Sequence, residues 1–248
     1  MKSLLCNAVK IFRTEGMTTF LLKTINYFYR RTVMLFLPIR SVKYNNISVP
    51  TARLFDGVLP WRSRQDRPNY ESGLISGIEE HVQPGSDVVI VGGGWGVTAV
   101  KAAEKVGEDG SVTVYEGSAK GVDQVRRTVR TNGYMNVVNV RHAIVGTALN
   151  LRGDSEGAAV VSPKNISRCD VLELDCEGSE IEILEQLTIR PDMVLVETHG
   201  MYNASTDTVK SILLDMSYSI VSNVVADRDQ REKCIADDVR VLTALRDD

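Results

Sequence analysis

The sequence is poor in the residues that staple or metal-clip small folds. Its four cysteines, Cys6, Cys169, Cys176 and Cys234, show no metal-ligand spacing, which sets aside a zinc-knuckle reading. Cys169 and Cys176 flank an apolar stretch, where a free thiol behaves as a small hydrophobe. A reducing, intracellular setting is the expectation. No run of about 20 apolar residues is free of charge, so no spanning helix is expected. Asn7, Lys10 and Arg13 break the first apolar stretch, and a signal peptide is not expected either. Repeats and low-complexity tracts are missing, which argues against solenoids and disordered chains. Neither sign of charge dominates, with 29 basic and 32 acidic residues.

What is present is ordinary for a globular chain: 248 residues, 43% hydrophobic and 25% charged, enough for one α/β domain with additions. The charge is unevenly placed. Residues 1–45 carry eight basic side chains against Glu15 alone, while the remainder holds 21 basic and 31 acidic residues. Met17, Leu21, Ile25, Phe28 and Leu35 fall near one face of a helix that Pro38 ends. Such a basic amphipathic arm can lie on an anionic membrane surface; the plainer reading packs it on its own domain or on a second subunit. The expected localisation is cytoplasmic, with peripheral attachment to the inner face of a membrane as an option. Three parts follow: the arm (1–45), a hairpin and connector (46–69) turning at Asn45-Asn46, and a catalytic domain (70–248). Trp61, Arg62, Arg64 and Arg67 of the connector read as a solvated loop or as a substrate rim.

From residue 70 onward, strands alternate with helices. A helix over about 70–82 precedes the apolar run Val88–Val91. Further strands are expected over 112–115, 137–144, 170–175 and 193–197, with helices between most of them. The stretch 146–168 reads as loop with one short strand. Two last strands, near 218–224 and 239–245, have no helix between them in this reading. They should pair as a hairpin, leaving one antiparallel strand in an otherwise parallel, doubly wound sheet.

The most informative stretch is DVVIVGGGWGVT, residues 87–98. A β-branched run entering Gly92, Gly93, Gly94, Trp95 and Gly96 is a strand that turns sharply into a helix. Backbone N–H groups and a helix N-terminus are then left free for a ligand. Gly94, Gly96 and Ala99 also satisfy the GxGxxA dinucleotide pattern, which keeps a nicotinamide-dependent oxidoreductase as an alternative. Glu116 closes the next strand, followed by Gly117, where a carboxylate accepts ribose hydroxyls. VLELDCEGSE, residues 171–180, puts Asp175 and Glu177 in a strand-end turn; Glu180, at a helix start, reads as a dipole partner. Glu197 and His199 close the following strand at the same edge.

DVVIVGGGWG, Glu116, LELDCEGSEIEIL and VLVETHG, in this order, resemble the FkbM family of S-adenosylmethionine-dependent methyltransferases over about residues 68–245. The resemblance implies a class I methyltransferase (Rossmann-like) fold with an antiparallel terminal strand. It also implies O-methylation, commonly of a sugar or glycan, with S-adenosylmethionine as cofactor. Under it, Gly92–Gly96 hold the methionine end of the cofactor and Glu116 its ribose, while His142, Ala143 and Ile144 lie by the adenine. Ile90 stands where the family pattern has an acid, and Glu71 is the candidate to replace that carboxylate. His199 is the first candidate for a general base, with Asp175 or Glu177 second. The expected partner is a sugar or uronic acid acceptor, lipid-linked if the arm binds membrane; no nucleic acid is expected, because the basic residues avoid the cofactor edge. In a uronic acid, Arg62, Arg64 or Arg152 would orient the carboxylate. No dedicated metal site is assigned, although carboxylates at 175, 177 and 197 have the chemistry to hold a divalent ion. A cofactor-binding module without catalysis remains the non-enzymatic alternative.

Overall fold

A computed structural model of the chain describes residues 16–25, 27–29, 32, 36–53, 65–147 and 154–247. Trp61, Arg62 and Arg64 of the expected rim, and Arg152, the other candidate to orient a carboxylate, lie outside the described residues. The chain forms two compact units, one of residues 1–42 and 51–65, the other of 43–50 and 66–248. In the first, residues 16–25 and 27–29 are helical, and Met17, Leu21, Ile25 and Phe28 are exposed. Among the described residues, no helix is long and apolar enough to cross a membrane. Strands β1 (Ile39–Tyr44) and β2 (Ile47–Arg53) form a two-stranded sheet. Asn45 and Asn46 between them both have positive φ, as a two-residue hairpin turn demands.

The second unit is built on an eight-stranded sheet. Its strands are β3 (Asp87–Val91), β4 (Ser111–Glu116), β5 (Val138–Val145), β6 (Ala159–Val161), β7 (Val171–Leu174), β8 (Met193–Glu197), β9 (Tyr218–Val225) and β10 (Arg240–Arg246). They lie in the order β6-β5-β4-β3-β7-β8-β10-β9. Neighbours from β6 to β8 are parallel, while β10 is antiparallel to both β8 and β9. The helices are α1 (Ser72–His81), α2 (Val97–Val106), α3 (Ala119–Asn132), α4 (Glu180–Gln186), α5 (Thr206–Asp215) and α6 (Arg231–Ala236).

Local chemistry accounts for these elements. Val88–Val91 are all buried, as both faces of an interior parallel strand require. In α3, Val122, Val125 and Val129 are buried. Ser118 caps the start of that helix by accepting the Gly121 N–H at 3.0 Å, and Gly133 ends it in the left-handed region. The single antiparallel strand is as expected, but its connection is not. A short helix, α6, sits between β9 and β10. At six residues it turns the chain without carrying it across the sheet, so the two strands still pair antiparallel.

One residue violates the apolar rule for the core. Glu173, in the centre of β7, is 1% exposed, and among the described residues neither carboxyl oxygen accepts a well-formed hydrogen bond. Burial, together with the charge of Asp175, pushes its pKa up to about 8, with the Thr98 hydroxyl partly offsetting this. A folded-state pKa above the unfolded value means that the native protein binds a proton the unfolded chain has released. Stability therefore falls as pH rises from about 4.5 towards 8, by about 1.4 kcal/mol per unit within that window. Glu173→Gln should remove this slope: urea unfolding at pH 5 and pH 8 should show the variant gaining on wild type by a few kcal/mol. An unchanged difference between the two pH values would exclude a buried, proton-binding Glu173.

Candidate functional site

The parallel strands present their carboxyl ends to one edge of the sheet, where open α/β folds place ligands. At that edge β3 runs into the glycine turn, and Gly92, Gly94 and Gly96 all have positive φ. The turn is fastened by the Gly92 N–H donating to the Tyr115 carbonyl at 2.9 Å and the Gly96 N–H donating to the Gly93 carbonyl at 2.8 Å. Asp175 donates its N–H to the Val91 carbonyl at 2.9 Å. A Cβ on Gly92 would overlap the Asp175 carbonyl oxygen. The ends of β3 and β7 are thus in backbone contact, and Asp175 starts beside the loop.

Glu116, from the end of β4, turns its carboxylate into the same loop. Its Oε2 accepts the Gly93 N–H at 3.0 Å, and its Oε1 accepts the Ser118 N–H at 2.8 Å. Oε1 also accepts the Ser118 hydroxyl at 3.1 Å, so of the roughly four acceptor positions of a carboxylate one is left for a ligand's hydroxyl. Gly117 follows, and its carbonyl lies 3.2 Å from His142 Nε2. That contact sets the end of β5, with Ala143 and Ile144, beside the end of β4. Ala143 is buried with the core and Ile144 is partly exposed.

Glu71 comes to the loop from the start of α1. Its Oε1 stands 3.5 Å from where a Gly94 Cβ would be, and its backbone is left-handed, with φ 49° and ψ 35°. Burial, with repulsion from Asp175 behind it, lifts its pKa to about 8. Aromatic residues pack next to it in the chain and beside the loop. Tyr44 meets Trp95 edge-on at 6.2 Å and lies 4.9 Å from the Tyr70 ring. The Arg67 guanidinium covers Tyr70 at 4.4 Å and pairs with Asp227. Ile90 is opposite Glu173 in the register of β3 and β7. The acid missing from β3 is therefore accompanied by acids on β7 and at the start of α1.

Beside the glycine turn, the ends of β7 and β8 gather Asp175, Glu177, Glu197 and His199. His199 is buried; its Nδ1 is 2.8 Å from Glu180 Oε1, while its Nε2 stands 3.7 Å from Asp175 Oδ1 and 3.6 Å from Glu197 Oε1. Burial lowers the imidazole pKa, but the Glu180 bond and the Asp175 charge outweigh it and leave it raised. Burial and the charges of Asp175 and Glu71 push the Glu197 carboxyl well above its ordinary range. Glu177 occupies the turn with φ 53° and Gly178 follows at φ 116°.

Glu180 is not merely a dipole partner. It is fully buried, and besides His199 it accepts N–H bonds from Gly178 at 2.8 Å and Cys176 at 3.3 Å. The reach of an acid back across EGSE was its one signal in the sequence. Glu173 had none, since VLEL reads equally well with the acid facing water. All of the expected site residues described here, including His199 and Glu116, lie at this one edge.

No family model matches the chain, and no curated protein does. Solved structures are similar to it at low identity. The B. subtilis tRNA methyltransferase TrmK is 14% identical, over 72% of this chain and 67% of that one, with a TM-score of 0.47. Aeropyrum pernix fibrillarin, solved with S-adenosyl-L-methionine bound, is 18% identical over 70% and 73%, with a TM-score of 0.47. The Methanococcus jannaschii fibrillarin pre-rRNA processing protein is 14% identical over 66% and 68%, with a TM-score of 0.46. The expected partners are corrected by these likenesses. Two of the three proteins are named for tRNA or pre-rRNA, and none for a sugar, a glycan or a lipid surface. The expectation of a glycan acceptor, a membrane surface and no nucleic acid is withdrawn. By its strand order and its single antiparallel strand, the chain has the class I methyltransferase, Rossmann-like fold.

Proposed function

We propose that the protein is an S-adenosylmethionine-dependent O-methyltransferase of the FkbM type. The observation that carries this is the shared cradle at the sheet edge: Glu116 hydrogen-bonds the Gly93 N–H within the loop that Asp175 abuts. The residues fit the cofactor. A glycine-rich turn with a helix N-terminus suits its amino-acid end, and Glu116, with one acceptor position unused, suits the ribose. Ala143, Ile144 and Gly117 offer an apolar wall for the adenine, while Trp95 and Glu71 flank the loop. When bound, the cofactor supplies a sulfonium methyl group that a nucleophilic oxygen can take, leaving a neutral thioether.

The chain's own contribution is positioning and proton handling. Asp175, His199 and Glu177 meet the acceptor, with Glu180 holding the imidazole in place. The FkbM motifs LELDCEGSE and VLVETHG supply these residues, which supports transfer to oxygen.

Calorimetry tests the cofactor reading. S-adenosylmethionine and S-adenosylhomocysteine should bind and NAD should not. Glu116→Ala should weaken both by at least about 10-fold, the loss of charge-assisted hydrogen bonds. NAD binding in place of the sulfonium nucleoside would overturn the proposal, as would unchanged affinity in the folded variant.

A further inference from the structure

We propose that Asp175, Glu197 and His199 form a binding site for a divalent first-row metal ion. The three residues come from the adjacent ends of β7 and β8, and each offers one ligand atom; these atoms lie within 4.8 Å of one another. His199 Nε2 is 3.7 Å from Asp175 Oδ1 and 3.6 Å from Glu197 Oε1. Those separations are too long for hydrogen bonds. They approach the spacing of donors sharing one ion, since bonds of about 2.1 Å place their donors roughly 3.0–3.4 Å apart.

The imidazole provides an independent observation. It is 6% exposed, yet among the described residues its Nε2 makes no hydrogen bond and points between two carboxylates. Its other nitrogen is tied to Glu180, a side chain with 0% exposure that two backbone N–H groups orient in turn. A buried carboxylate fixing the far ring nitrogen is the arrangement that orients metal-ligating histidines. With the Nδ1 proton given to Glu180, Nε2 presents its lone pair to the space between Asp175 and Glu197. One imidazole and two carboxylates suit Mn²⁺ or Zn²⁺ better than Ca²⁺, which takes oxygen ligands alone.

This inference rests on the methyltransferase reading only for what an ion would do there, which is to hold an acceptor oxygen and lower its pKa. In that state Asp175 and His199 serve the acceptor by holding the ion.

The test uses the full-length chain, stripped of metal and titrated with Mn²⁺ by calorimetry and electron paramagnetic resonance, with no cofactor or acceptor added. One Mn²⁺ should bind with a Kd below about 100 µM. Glu197→Gln and His199→Ala should each weaken binding by at least about 10-fold, and Mn²⁺ should raise the melting temperature of wild type but not of these variants. Glu197→Gln, nearly isosteric, carries the test if His199→Ala fails to fold. Absence of binding below about 1 mM would overturn the proposal, as would wild-type affinity in folded Glu197→Gln. The cluster would then be an imidazolium bridging three acids. Because the titration involves no methyl transfer, its failure is distinct from failure of the proposed activity.

Discussion

Replacing His199 with alanine should lower methyl transfer by about 10²–10³-fold while leaving S-adenosylmethionine affinity within about threefold. The split follows from where the ring sits. His199 lies at the ends of β7 and β8, against Asp175 and Glu197, whereas the proposed cofactor contacts come from Gly92–Gly96 and Glu116. An interaction made mainly as the acceptor reacts should appear in kcat and spare cofactor binding. Single-turnover assays and calorimetry on the same preparation read the two quantities separately. Near-normal turnover would remove His199 from the chemistry. Equal losses in turnover and cofactor affinity would instead mark it as support for the loop.

Gly92→Ala should be the most damaging single methyl addition at the site, costing at least about 3 kcal/mol of stability. Two effects act together. The residue has φ of 100°, a conformation that a Cβ makes costly. The added carbon would also overlap the Asp175 carbonyl oxygen, so β3 and β7 would have to separate. That movement drags Asp175 away from the loop, and cofactor affinity should fall with stability. Urea denaturation reads the first effect and calorimetry the second. A variant within about 1 kcal/mol of wild type would mean that the two strand ends are not in backbone contact.

The features legible in the sequence are those whose chemistry is local. A run of valines entering four glycines admits few structures, and Glu116 follows at the spacing of the next strand end. Pairing of the last two strands was legible because the charged stretch 225–238 between them carries no apolar pattern for a crossover helix. The Glu180–His199 contact is different in kind: it joins residues 19 apart in sequence, across a helix and a strand, and no local pattern encodes it. Glu173 hid inside an apolar run because burial of both faces is set by the helices that cover the sheet, which the strand's own residues do not encode. The short α6 escaped notice for the opposite reason, since its charged residues read as solvated loop. Glu71 was picked out only as a replacement for the acid missing at Ile90, and its left-handed backbone has no local sequence signal.

The placement of β10 between β8 and β9 has a consequence for how the molecule is made. β9 emerges from the ribosome earlier, yet it joins the body of the sheet only through a strand synthesised after it. Until residues 240–246 appear, the flank of β8 that holds Glu197 has no neighbour. The edge that gathers the acids is therefore completed only once β10 has been made, and a nascent chain stalled before Arg240 would carry an open strand edge instead.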